Sequence, residues 1–427
     1  MKVHLIVPIF PPEAVASAVM AEHIAIGLSA QRHEVTVLTS FPSKMKGVLF
    51  PGYRRTLRQM ASDPRGFRLC RVFTIFSTTS SVASRLPEYL SFALASNLAS
   101  LCLGRPDVVF INTWPLATLV TAAICSMRGV PFVFNTQDLY PESAGGLGYL
   151  RSGGLLYRLL LWLDRAAMGR AAHVVPISEE FAAHIQATRG VSPDRMTVIW
   201  NWFDGRVRPQ AKQGLVRAQF LPSGQGFIVM YAGNVGSVAG LEVVLEAAKL
   251  LRHRGPYVFV LAGDGTMRER LERQCRTEDI RNVRFLYPLH RDNLSEVQAA
   301  ADVMLITVKR GLARSEVPSK MMGYMLSGRP ILAMVDRESN TARLVGLANC
   351  GLVAEPENPQ MLASLVTEMH AAGAKLDEWG ERARQFALTH FSQERNTLRM
   401  IAVLERAAAT RSSLAGSPSP SPRPGPV

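Results

Sequence analysis

"IVMYAGNVGSVAGLEVVLEAAKLL", residues 228–251, decides the fold. A short apolar run enters a turn carrying Gly233, Gly236 and Gly240 and leaves as a helix, with Leu241, Val244, Leu245, Ala248 and Leu251 on one face. Strand, glycine turn and helix make the repeating unit of a parallel α/β sheet. Glycines at such a turn let backbone N–H groups approach an anion at the helix N-terminus. The spacing is not G-x-G-x-x-G, so this stretch alone leaves open both phosphate binding and a plain tight connection.

The device recurs one unit later in "VFVLAGDGTMRERLE", where Gly263, Asp264 and Gly265 lead into an amphipathic helix. Asp264 reads equally as a helix cap. The series continues through "NVRFLYP", "DVMLITV", "PILAMV" and "GLVAE". Upstream, "VHLIVPI", "EVTVLT", "RLCRVFTI", "DVVFINT", "PFVFNT" and "HVVPIS" form an earlier series of the same kind, separated from the later one by a polar Arg/Gln/Gly/Pro stretch near 205–226. The expectation is two doubly wound α/β domains, residues 1–205 and 206–390. A C-terminal helix over 391–410 and a disordered Ser/Pro-rich tail over 411–427 complete the chain.

Composition narrows the function. The 427 residues carry a formal charge of +14, with 48% hydrophobic and 19% charged residues, so acidic partners such as nucleic acid, anionic lipid or phosphorylated small molecules come into view. Basic residues are not interleaved with aromatics in a stripe, which argues against nucleic acid. The five cysteines are far apart and form no metal set, and read as free thiols of a reducing cytosol. Neither a signal peptide nor a membrane span is expected, so the chain reads as cytoplasmic. G-x-S-x-G, H-E-x-x-H and the P-loop's G-K-[ST] are missing.

Three further stretches carry chemistry. "VPSKMMGYMLSGRP", residues 317–330, sets Lys320 in the first turn of an apolar helix, where the dipole disfavours a bare cation by up to about 1 kcal/mol. An anion at that point would reverse the sign. "FVFNTQDLYPESAGGLG" places Gln137, Asp138, Tyr140 and Glu142 in a loop after a strand, suited to acid/base or hydroxyl-binding work or to a turn with a capping carboxylate. "RSGGLLYRLLLWLDRAAMGRAAH" is an apolar helix with Arg158, Arg165 and Arg170, either a core helix with solvated arginines or a surface-binding one.

Taken in order with "FPPEAVASAVMAEHIAIGLSAQRHEVTVLTSFPS", "GVLFPGYRR", "VVPISEEF", "VIWNWFD" and "AAADVMLITV", these segments make most of residues 1–405 similar to the retaining glycosyltransferases of family four. The chain most resembles the branch that builds bacterial capsule, O-antigen or exopolysaccharide, typified by fucosamine transferases. The resemblance implies the GT-B fold: two Rossmann-like domains facing across a cleft, with the C-terminal helix crossing back to the first. It implies a nucleotide-diphosphate sugar donor, a UDP-sugar, on the second domain and a lipid-linked or oligosaccharide acceptor on the first. It also implies peripheral contact with an anionic membrane at its inner face, and neither cofactor nor metal.

By position, the resemblance puts Gly233, Asn234 and Gly236 near the diphosphate, with Pro318, Ser319 and Lys320 binding it. Gly263, Asp264, Gly265 and the "YPLH" stretch containing Leu289 would border the nucleoside. Glu316 matches the first acid of the family's E-x7-E motif, Asp138 lies near the reacting sugar hydroxyls, and Glu142 is on the acceptor side. The second acid falls on Gly323. The arginine and lysine common in the phosphate loop are replaced by Asn234 and Ala239. Two other readings follow: a nucleotide-sugar epimerase of the same fold, and a catalytically silent scaffold in a polysaccharide-synthesis complex.

Overall fold

A computed structural model describes the chain except residues 14, 45–47, 78–81, 114–116, 147–149, 203–206, 213, 222–223, 291–292, 313–318 and 416–427. It divides into two compact units, Met1–Asn201 with Glu394–Val427, and Trp202–Gln393.

The strands of the first unit are β1 (Lys2–Ile6), β2 (Glu34–Ser40), the short hairpin β3 (Ser43–Lys44) and β4 (Val48–Leu49), β5 (Arg58–Ser62), β6 (Arg68–Val72), β7 (Val108–Asn112), β8 (Phe132–Thr136) and β9 (His173–Pro176). Seven of these form one sheet in the order β5-β6-β2-β1-β7-β8-β9. All its neighbours run parallel except β5 and β6, which pair antiparallel. Between β2 and β6 the chain forms the β-hairpin and the edge strand β5, which were not among the expected strands. Every residue of β5, "RQMAS", is exposed, so it carries no apolar run by which to be seen.

Helix Gln393–Ala415 completes this unit. It buries Met400, Ile401, Val403, Leu404 and Ala407, and a side chain added at Gly27 of helix Ala16–Ala30 would meet Ile401 and Thr397 at 2.9 Å. Asn396 donates to the Trp200 carbonyl at 3.2 Å and Arg399 to that of Val198 at 2.9 Å. Helical structure thus continues through Ala415, past the start of the segment expected to be disordered.

The second unit holds β10 (Phe227–Ala232), β11 (Tyr257–Ala262), β12 (Val283–Leu286), β13 (Val303–Thr307), β14 (Ile331–Met334) and β15 (Gly351–Ala354). Their order is β12-β11-β10-β13-β14-β15, all parallel. Both sheets therefore reverse their winding beside the first strand, at β1/β7 and at β10/β13, and doubly wound sheets bind ligands at such switch points. Inside the polar stretch expected as a linker, helix Leu215–Phe220 turns Arg217 inward. Its guanidinium donates to Asp302 at 2.9 Å and to the Ala300 carbonyl at 2.7 Å. No helix among the described residues is long and apolar enough to cross a membrane.

Candidate functional site

In the second unit the site is built at the carboxyl end of β10. The two glycine turns lie against each other: Gly233 N–H donates to the Ala262 carbonyl at 2.8 Å, Val235 N–H to that of Asp264 at 2.9 Å, and Met267 N–H to that of Val235 at 3.0 Å. Gly263 is left-handed at φ 132°, and a Cβ built there would lie 2.0 Å from the Gly233 carbonyl oxygen. At Gly265 the added carbon would sit 2.4 Å from the Val235 oxygen. Backbone thus packs on backbone where the resemblance puts diphosphate and nucleoside, and only glycine permits that approach.

Helix Ser319–Leu326 is strapped to the same strand end. Buried Tyr324 donates its hydroxyl to the Ala232 carbonyl and accepts the Ala232 N–H, both at 2.8 Å. Lys320, in the first turn, donates to the Tyr231 hydroxyl at 2.8 Å, with its ammonium 4.6 Å from the ring centroid. Its Cε comes within 2.9 Å of where a Gly233 Cβ would be. Tyr231 in turn donates to the Asn234 carbonyl at 2.6 Å. Burial drives the Tyr231 phenol well above its ordinary range, so it stays neutral and orients the ammonium without cancelling its charge. Tyr231 and Tyr324 were missed in the sequence. Their signal was an aromatic residue in an otherwise aliphatic strand end and helix, which reads as core.

Around this centre, Asn234 turns its side-chain amide toward Gly236. Exposed Asp264 accepts from the Gly265 N–H at 2.8 Å and from Arg268 at 2.7 Å. The Arg268 contact, ahead of the backbone bond, holds its carboxyl below the usual range. Arg268 also bonds Glu272 at 2.9 Å and stacks 3.8 Å from the Tyr287 ring centroid, a cation the sequence reading passed over. Leu289 is half-buried in the segment after β12. Glu316 and Pro318 lie outside the described residues, as does the side chain of Ser319. Counted from Glu316, the second acid of E-x7-E falls on Tyr324, one residue beyond Gly323, so Glu316 and Gly323 do not fill the two acid positions together. Among the described residues no three His, Cys, Asp or Glu side chains cluster as metal ligands.

In the first unit, Gln137 follows β8 and exchanges amide bonds with Asn201 at 2.8 and 3.1 Å, while its N–H donates to Thr113 at 3.1 Å. Asp138 beside it remains exposed, and the protein crowded around it pushes its carboxyl up. Glu142, four residues on, is taken into a half-buried ion cluster. Both its oxygens accept from Arg189, one at 2.8 Å, and His184 adds a bond at 2.9 Å. Burial alone would raise this carboxyl, but the Arg189 and His184 bonds outweigh it and hold it at about 2. Arg189 also donates to Asp164 at 2.9 Å and to the Tyr140 carbonyl at 3.0 Å. The structure thus brings Gly233, Asn234, Gly236, Gly263, Asp264, Gly265 and Lys320 together, and commits Glu142 to a separate cluster.

The chain is similar to known glycosyltransferases. Residues 16–202 match the family model described as "Glycosyl transferase 4-like domain", and residues 214–386 match "Glycosyl transferases group 1". The chain is 28% identical over 357 residues to the putative colanic acid biosynthesis glycosyl transferase WcaI of Escherichia coli, covering 79% of this chain and 84% of that one. It is 28% identical over 272 residues to the probable glycosyltransferase WbjE of Pseudomonas aeruginosa, covering 62% of this chain and just under two thirds, 66%, of that one. Among solved structures, a sucrose-phosphate synthase from Thermosynechococcus elongatus matches with TM-score 0.74 at 17% identity, covering 96% and 99% of the two chains. Anabaena HepE in complex with UDP matches with TM-score 0.65 at 17% identity, covering 97% and 100%. The structural neighbours share the GT-B fold.

Proposed function

We propose that this chain, a glycosyltransferase of GT-B fold built from two glycosyltransferase domains, transfers a sugar with retention from a UDP-sugar to a lipid-linked or oligosaccharide acceptor in bacterial surface polysaccharide synthesis. The observation that carries the reading is Lys320, whose ammonium is held by Tyr231 against the Gly233 turn, at the positive end of helix Ser319–Leu326. A leaving diphosphate there meets a helix N-terminus and a fixed cation, both poised for the charge that develops as the sugar–phosphate bond breaks. The acceptor hydroxyl forms the new glycosidic bond, and its proton passes to the departing phosphate oxygen. Asp138 and Glu316 are assigned to the reacting sugar, and Leu289 with Gly263 to Gly265 to the nucleoside. Pro318 and Ser319 are assigned to the diphosphate by the resemblance alone.

The polysaccharide assignment is supported by the relatives WcaI and WbjE and by the fold of WaaG, a glycosyltransferase of lipopolysaccharide biosynthesis. UDP is supported by HepE, solved with UDP and with UDP-glucose. Tyr324, where the second acid of E-x7-E falls, favours a second reading, the silent scaffold. Isothermal titration with UDP and UDP-sugars separates the two, because the scaffold binds none. Lys320→Ala is expected to lower turnover by about 10²–10³, the range seen on removing one charge-stabilising donor, with thermal unfolding unchanged. Near-normal turnover would sink the assignment.

A further inference from the structure

The glycine turn after β10 is held from a second side by the end of β13. The Thr307 hydroxyl donates to the Ala239 carbonyl, and the Lys309 N–H donates to that of Val238 at 2.9 Å. Strand β13 runs parallel to β10 across the switch point, with Val229 opposite Val303, so its carboxyl end and the turn emerge together. Bonded in this way, β13 lays the side chain of Lys309 across Gly240. Its Cγ lies 3.0 Å and its Cε 3.7 Å from where a Gly240 Cβ would stand. Gly240 is left-handed at φ 60°, so the glycine both makes the turn and leaves room for the lysine.

Nothing within the unit explains a cation at this point. Lys309 is half-buried, and among the described residues no carboxylate or carbonyl takes its ammonium. A lysine that has lost part of its hydration is ordinarily matched by an acceptor. Its neighbour Arg310 is exposed and is bonded instead to Glu355 at 3.1 Å and to the Pro356 carbonyl at 3.4 Å. Lys309 and Lys320 thus stand at the two ends of one turn, Lys320 against Gly233 and Lys309 against Gly240. Between them "GNVGSVAG", residues 233–240, holds no charged residue, and Ala239 is buried in the apolar core of the unit.

We infer that Lys309 is a second donor-binding residue, whose ammonium donates to the nucleotide's diphosphate from the β13 side while Lys320 donates from the helix side. The inference rests on the UDP-sugar reading and deepens it. A diphosphate carries more than one negative charge, and Lys320 alone leaves part of that charge unbalanced. A cation brought by the neighbouring strand serves as well as one in the turn, because Coulomb attraction depends on where a charge sits and not on which segment delivers it.

The test is isothermal titration of the full chain with UDP at low and high salt, for wild type, Lys309→Gln, Lys309→Arg and Lys249→Gln. Lys309→Gln removes the charge and is expected to bind UDP about ten- to a hundred-fold more weakly, the range of one hydrogen bond to a charged group. Its binding should also depend less on salt, with thermal unfolding unchanged. Lys309→Arg is expected to recover most of the loss. Lys249→Gln takes an equal charge from the same unit, at ion pairs with Glu246 and Glu278, and should bind as wild type does. Wild-type affinity in Lys309→Gln, a loss that arginine does not recover, or the same loss in Lys249→Gln would each overturn the role of Lys309. A wild type that binds no UDP removes the donor reading and this inference together, whereas wild-type binding with an unaffected Lys309→Gln removes Lys309 alone.

Discussion

Lys320 depends on a residue eighty-nine positions earlier in the chain. Tyr231 accepts a hydrogen bond from its ammonium and donates one to the Asn234 carbonyl, so one phenol sets both the cation and the phosphate turn. Tyr231→Phe keeps the ring and the packing and removes only the hydroxyl. Stability is expected to change by about 1 kcal/mol, while kcat/KM falls about ten-fold through the released ammonium. Equal kcat/KM in the two proteins would show that the phenol does not position Lys320.

Glu13 offers a pH readout in the first unit. One of its oxygens accepts the Ser43 N–H at 3.3 Å, and burial raises the carboxyl to about 7 despite that bond and the nearby Arg71. A carboxyl that ionises near 4.5 unfolded and near 7 folded binds more protons in the folded state between those values. Its favourable contribution is therefore complete at low pH and disappears as pH rises toward 7. Partial solvent contact reduces the effect to roughly 1 kcal/mol. Glu13→Gln is expected to melt about 2–4 °C above wild type at pH 8 and to lose that lead at pH 5. A lead independent of pH would remove Glu13 as its source. Residue types made Lys320, Asp138 and Asp264 visible as candidates, but the destination of Glu142 depends on Arg189, forty-seven residues away, and no local pattern announces it.

At the scale of elements, the glycine turns after β10 and β11 work as a pair. Gly233 and Gly263 are legible in the sequence as turn residues. That the backbone of one lies where the other's Cβ would stand follows from adjacent parallel strands ending in register, Ala232 opposite Ala262. Gly263→Ala would drive a carbon to 2.0 Å from the Gly233 oxygen at a left-handed φ. The expected cost is about 3 kcal/mol or more, with UDP affinity lost together with stability. A folded variant that binds UDP normally would mean the turns yield without consequence. The expected strands were readable because parallel strands covered on both faces are continuous apolar runs. Strand β5 was not, since an edge strand with every side chain in solvent needs no such run. Helix Leu215–Phe220 escaped because its arginine counts as polar until Asp302, eighty-five residues on, gives it a buried partner.

For the whole molecule, the chain leaves its first unit at Asn201 and returns to it with helix Gln393–Ala415. That helix contributes buried Met400, Ile401, Val403 and Leu404, each worth about 1.5–3 kcal/mol of burial. A chain ending at Gln393 is expected to lose the calorimetric transition of the first unit and to keep a separate one in which the second unit still binds UDP. A single unchanged transition would contradict this. Sequence by itself determined the two α/β halves, their glycine turns and the apolar, basic character of residues 151–173, because periodicity and residue type act over a few neighbours. It offered two readings of that last helix. Only the tertiary structure decided that its Leu155, Leu159 and Trp162 face solvent beside the leucines of helix Val82–Cys102, and that Tyr231 holds Lys320. Burial and partnership between distant residues exist only once the sheets have closed around their switch points.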